Sequence, residues 1–235
     1  MVTIAVAAAL SVNWVYQAVR KPSELLFPMA ATLDKKPADT WRTYEPIFRK
    51  YSTSAIRPEF LAALAQTEAA GNPAARTYWR WSWSLRPFDW YRPAASSVGL
   101  YQMTNGMYSE ARHYCIRDHA VFHADRPGDP DRCGRNRFMV RVLPGDAVEL
   151  TAAYLDVHVA SALAQHHVRR ASLQQRQHLA AVIHLCGAGA GDLYAGRGFR
   201  FQSGQRCGDH DPKTYVARID ELEAQFIRGP HSLRF

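Results

Sequence analysis

Hydrophobic and polar positions along this chain recur mostly with the period of a helix. Residues Val2 to Val19 are almost uncharged, diluted only by Ser11, Asn13 and Gln17, and their length approaches the minimum for a membrane span. Trp41, Tyr44, Ile47, Phe48 and Tyr51 form a helical stripe suited to a core. Pro58 to Gly71 reads as a short helix: Pro58 is pre-set for the first turn, Glu59 suits its positive end, and Gly71, Asn72 and Pro73 stop it. Leu61, Leu64 and Ala65 share one face, and the next position on that face is Glu68. Thr104 or Asn105 would cap a helix from Met107 to Val121. Pro144 and Gly145 open a long helix whose apolar positions, from Val148 to Leu163, spread widely enough to predict a central helix enclosed by others. A helix from Ser172 or Leu173 to Cys186 ends at the glycine-rich run 187–191, a loop covers Gly196 to Pro212, and a last amphipathic helix covers Tyr215 to Phe226.

Strand signals are few and short. Trp79, Trp81 and Trp83 alternate with Arg80, Ser82 and Ser84, which would put three indoles on one face of an extended stretch. That stretch belongs to an aromatic segment, Tyr78 to Tyr91, interleaved with Arg76, Arg80, Arg86 and Arg92. It suits either a carbohydrate-stacking wall or an ordinary hairpin packed on the domain. Pro22, Pro28 and Pro37 with Lys35 and Lys36 read as a linker, and Ala124 to Arg137 as a surface loop. The expected organisation is therefore a hydrophobic signal or anchor segment and linker over 1–40, followed by one mainly α domain over 41–235.

Charge narrows the partners. The formal net charge of +8 favours an anionic partner: nucleic acid, a membrane surface or an acidic cell-wall polymer. Without a run of Lys and Arg, or zinc-finger or RNA-binding spacing, the sequence argues against nucleic acid. The N-terminal segment resembles a signal or signal-anchor sequence, yet its basic residues, Arg20 and Lys21, follow the apolar stretch. Either further basic residues precede Met1, or the segment is an ordinary buried helix. Four cysteines permit two disulfides, the nearest-neighbour pairs being Cys115 with Cys133 and Cys186 with Cys207. Cys115, His119, His123 and Cys133 could instead hold zinc, although their spacing matches no common template. The expectation is no metal and no cofactor.

Glu68 is the candidate for chemistry. A carboxyl on the buried stripe of a helix, in the last turn, is desolvated by the apolar face and meets the negative end of the helix dipole. Both favour the protonated form that a general acid needs. At a fraying helix end, a glutamate can equally turn out to solvent.

Glu68 followed by Gly71, Asn72 and Pro73, then Gly99, Leu100, Tyr101 and Gln102 with Gly106 beyond, together resemble the catalytic domain of lytic transglycosylases of the soluble SLT type. That family is related in fold to goose-type lysozyme. A third family motif, Tyr-Asn-Ala-Gly, aligns with His184, Leu185, Cys186 and Gly187, so His184 stands where the family has tyrosine. The resemblance covers roughly residues 44–191, and the aromatic segment is an insertion between its first two motifs. It implies a mainly α, lysozyme-like domain with a glycan groove and a short irregular or β-like insertion. It also implies cleavage of the bond between N-acetylmuramic acid and N-acetylglucosamine in peptidoglycan without water, leaving 1,6-anhydro ends. Glu68 would be the single acid and base. Ser97, Gln102 and the backbone at Gly99 would hold the sugar, Tyr101 and Met103 would line the groove, His184 would stand beside the acid, and Trp79, Trp81 and Trp83 would form a groove wall. The protein would face the periplasm, free or membrane-anchored. Alternatives are a lysozyme that hydrolyses the same bond, which would need a positioned base for water, a role to which the acidic residues after the motif, Asp89 and Asp118, have no obvious claim, and a non-catalytic murein-binding component of an envelope machine.

Overall fold

The computed structural model describes residues 1–21, 24–25, 32–124, 133 and 139–228. The described chain is mainly helical. Helix α1 (Val2–Arg20) leaves most of its side chains exposed. Helices α2 (Pro37–Lys50) and α3 (Pro58–Ala69) begin the packed body. A hairpin, β1 (Trp79–Trp81) paired antiparallel with β2 (Tyr91–Pro93), separates α3 from α4 (Asn105–Ala111). A second hairpin, β3 (Tyr114–Arg117) with β4 (Ala120–His123), precedes α5 (Pro144–Gln165), α6 (Leu173–Cys186), α7 (Ala188–Gly196) and α8 (Pro212–Arg228).

Helix α5 is the hub. It packs against α2, α4, α6, α7 and β3, and its buried positions lie all round the first three turns, as the wide spread of apolar residues predicts. This burial also explains why α5, like α1, is apolar and long enough for a membrane span: in α5 that composition serves the core. Phe48, Phe60, Leu61, Leu64, Leu100, Leu150, Leu155 and Leu179 are wholly buried and form one cluster. The Trp41 ring of α2 stacks on Phe226 of α8, with centroids 5.5 Å apart.

Helix α3 is enclosed rather than striped: every residue from Phe60 to Ala65 is buried. Its start follows from Pro58 at the first position, and its end from Ala70 and Gly71, both at positive φ. The chain before α2 clasps that end. The Lys35 N–H donates to the Ala70 carbonyl at 2.8 Å, Gln66 Nε2 to the Lys35 carbonyl at 3.1 Å, and Thr40 Oγ1 to Gln66 Oε1 at 2.6 Å.

Four sequence expectations change. The body starts at Pro37 rather than Trp41, because Pro37 sits at the first position of α2. The segment expected as linker is partly docked: Glu24 is fully buried, accepting from Arg76 at 2.5 Å and Trp79 Nε1 at 2.8 Å. Pro22 and Pro28 lie outside the described residues, as does most of the expected loop after Ala124. The expected helix from Met107 to Val121 stops at Ala111, although Thr104 does cap it. Tyr114 to His123 instead pair as strands around Asp118 and His119, both at positive φ, a two-residue turn suited to a hairpin. Finally, the glycine-rich run is not all loop: 188–196 is helix α7, and a Cβ on Gly191 would lie 2.2 Å from Ile183 Cγ1, so this glycine permits the close packing of α7 on α6.

Candidate active site

The last turn of α3 brings Glu68 to the first turn of α8. The two helices run antiparallel, since Glu59 at the start of α3 is in turn close enough to act electrostatically on Glu223 far along α8. Asp211 caps α8, its Oδ1 accepting from Lys213 N at 2.8 Å and Thr214 N at 3.0 Å. Tyr215 follows at once, and its hydroxyl donates a hydrogen bond to Glu68 Oε1. Burial, and then the charge and hydrogen bond of Glu68, push the Tyr215 phenol well above its ordinary value, so it keeps the proton it donates.

His184, in the last turn of α6, completes the cluster. Its Nε2 lies 3.6 Å from the same Oε1, a contact too long for a hydrogen bond, and its side chain is only 4% exposed against 16% for Glu68. His184 Nδ1 is buried without a hydrogen-bond partner among the described residues. His184 therefore touches the acid from the protein side. Among the described residues both polar contacts of Glu68 fall on Oε1, which leaves Oε2 without a partner there on a partly exposed side chain.

The run 97–103 is placed differently from the expectation. Tyr101 is wholly buried and donates to the Leu61 carbonyl at 3.2 Å, and Met103 is 1% exposed within the core cluster. Both are core side chains and not groove lining, because that segment turns them inward against the core that surrounds α3. Gln102 spends its amide nitrogen on the backbone, donating to the Ala75 and Gly99 carbonyls at 3.1 Å each. Its N–H groups therefore hold a loop together and not a sugar. Gly99 has φ +83°, and a Cβ there would lie 2.4 Å from the Arg141 carbonyl oxygen, so the space it opens is filled by protein backbone. Ser97 is buried, and its carbonyl accepts from Lys21 Nζ at 3.0 Å.

The aromatic segment packs on α1. Asn13 Nδ2 donates to the Tyr91 carbonyl at 2.7 Å and Gln17 Nε2 to the Phe88 carbonyl at 2.6 Å. Trp79 and Trp81 both lie against Tyr91, while Trp83 falls beyond the strand and is fully exposed. The three indoles therefore do not form one wall: Trp79 is bonded to Glu24 and the other two face outward.

The cysteines form Cys115–Cys133 and Cys186–Cys207. This removes the thiols a Cys115, His119, His123, Cys133 zinc site would need. Asp89 is buried and paired with Arg20 at 3.0 Å, and Asp118 occupies the β3–β4 turn.

Tyr215 is the residue that sequence reasoning missed. Its local signal is its place in the first turn after a capping Asp-Pro, three residues beyond Pro212, which says where a helix starts but not which acid it will meet. Comparison with known protein families, curated proteins and solved structures finds no match to this chain.

Proposed function

We propose that this protein is a peptidoglycan lytic transglycosylase with a lysozyme-like helical domain, held at the periplasmic face of a membrane by α1. The observation that carries this reading is an acid, Glu68, whose Oε1 accepts from Tyr215 with His184 beside it, while Oε2 has no partner among the described residues. Most glycosidases work with two carboxylates. Here Asp89 is tied to Arg20 and Asp118 sits in a turn, which favours a one-carboxyl mechanism over hydrolysis with a separate base.

Glu68 Oε2 protonates the oxygen linking N-acetylmuramic acid to N-acetylglucosamine, and the bond from that oxygen to C1 breaks. The substrate's own acetamido oxygen supports the positive charge at C1. The carboxylate of Glu68 then takes the proton of the C6 hydroxyl, O6 bonds to C1, and the 1,6-anhydro end forms without water. Tyr215 holds Oε1 by its hydrogen bond, with His184 packed beside it, while Oε2 passes from acid to base. The net positive charge suits a glycan bearing lactyl and peptide carboxylates.

Digestion of purified sacculi followed by mass spectrometry tests this. The wild type is expected to release muropeptides with anhydro ends, and Glu68→Gln to lose at least about a thousandfold in rate while still binding sacculi. Reducing ends without anhydro sugars, or equal activity of the two forms, would refute it.

A further inference from the structure

Two exposed apolar elements of this protein lie side by side and share one polar seam. Helix α1 turns Asn13, Gln17 and Arg20 toward the β1–β2 hairpin, where they bond the Tyr91 and Phe88 carbonyls and the Asp89 carboxylate. Apart from Ala18, the rest of its surface, including Ile4, Val6, Leu10, Val12, Val15 and Val19, is exposed. The hairpin does the same: its inner edge meets α1, and Trp81 (71%), Trp83 (101%), Leu85 (105%) and Trp90 (49%) face away from the protein. Isolated exposed apolar residues are ordinary in soluble proteins, whereas a joined patch of this kind marks a binding surface.

Charge indicates what covers it. At the end of α1 a cavity of about 680 Å³ is lined by Gln17, Arg20, Lys21, Arg92, Arg141 and Tyr108, with further neutral residues and no acidic side chain. Arg20 and Lys21 have the carboxylates of Asp89 and Glu24, whereas among the described residues Arg141 bonds the Met103 carbonyl and Asn105 Oδ1 and lies over the Tyr108 ring, and neither Arg141 nor Arg92 has a carboxylate partner there. Indoles beside an apolar helix, with arginines at the helix's end, are the composition of a protein surface that lies in the headgroup region of a bilayer.

We infer that α1 and the β1–β2 hairpin form one membrane-inserting unit for an anionic lipid surface. Trp81, Trp83, Leu85 and Trp90 enter the interface beside the helix, and the cationic cavity receives lipid phosphate. The hairpin is thereby assigned to the membrane and not to the glycan. Burial lowers Lys21 from its usual range against the opposing hydrogen bond and charge of Glu24, and the neighbouring Arg141 and Arg76 add smaller effects in the lowering direction.

The test uses the full chain with vesicles of phosphatidylcholine alone or mixed with phosphatidylglycerol, some carrying brominated acyl chains. Wild-type tryptophan fluorescence is expected to be quenched by the brominated lipid, more strongly with phosphatidylglycerol present, and Trp81→Phe with Trp83→Phe to remove much of that quenching. Trp83→Ser with Leu85→Ser, at positions too exposed to affect folding, is expected to weaken vesicle binding at least tenfold while sacculus digestion continues. Arg92→Gln is expected to reduce the preference for phosphatidylglycerol several-fold. Unchanged vesicle affinity of the Trp83, Leu85 variant, or hairpin indoles that escape quenching, would overturn the assignment. Loss of sacculus binding with vesicle binding intact would overturn it in favour of a glycan wall. Vesicle binding is read without any murein, so its failure is distinct from a failure of Glu68 as catalyst.

Discussion

Tyr215 and Glu68, separated by 147 positions in the chain, are joined by a hydrogen bond from the phenol to Oε1. The pair exists because α8 returns antiparallel along α3, so the first turn of one helix meets the last turn of the other. It gives the candidate acid a fixed neighbour that stays protonated.

Removing that hydroxyl should be felt in the rate. Tyr215→Phe leaves Oε1 without its donor, and a net loss of about 1.4 kcal/mol corresponds to a tenfold fall in kcat, with KM little changed. Because burial and the Glu68 charge push the phenol above its ordinary value, the wild-type to variant ratio should stay constant up to about pH 10. Steady-state kinetics on soluble murein fragments across that range would show it, and a ratio that collapses near neutral pH would contradict the assigned role.

Glu223 makes a pH signature in stability. Its carboxyl, buried between α8 and α6, is pushed up to about 7 from 4.5 by desolvation, against the opposing hydrogen bond from Gln177, with the Asp220 and Glu59 charges adding to the rise. The folded state then holds more protons than the unfolded state between those values. Stability contributed by this group is present below about pH 4.5 and lost as pH rises to about 7, on the order of 3 kcal/mol. Glu223→Gln should match the wild type at the acid end, exceed its stability above neutrality, and flatten the difference in between, as measured by urea unfolding at a series of pH values.

Gly99→Ala should destabilise the fold rather than alter ligand binding. The backbone there is at φ +83° and the added Cβ would meet the Arg141 carbonyl oxygen. A loss of at least about 2 kcal/mol in chemical denaturation is expected.

The disulfides should separate stability from activity. Cys186 lies just after His184 and Cys207 just before the cap of α8, so this bridge ties together the elements that carry His184 and Tyr215. Each bridge closes a loop of similar span, 18 and 21 positions, and each is worth about 3 kcal/mol by chain entropy. Cys186→Ser with Cys207→Ser should lower both Tm and kcat, whereas Cys115→Ser with Cys133→Ser should lower Tm alone. Calorimetry paired with a sacculus-release assay distinguishes the two.

The strongest local signals in the sequence correspond to structure. Proline at the first turn and the Gly-Asn-Pro stop delimit α3, the wide apolar spread of α5 announces a central helix, and the uncharged run of α1 is legible from composition alone. These features are written in a few neighbouring residues, because helix ends and apolar periodicity are short-range properties. The hairpin at Tyr114 to His123 was not legible, since a turn made by Asp118 and His119 carries no glycine to announce it.

By itself, the sequence determined that Glu68 sits at the end of a helix inside an α-rich chain. Tertiary structure alone decided what surrounds it. Tyr215 reaches Oε1 from a helix far along the chain, Tyr101 and Met103 turn into the core, and the tryptophans turn toward α1 and solvent. Side-chain direction depends on which face of an element its neighbours cover, and those neighbours come from distant segments through packing that no local pattern encodes.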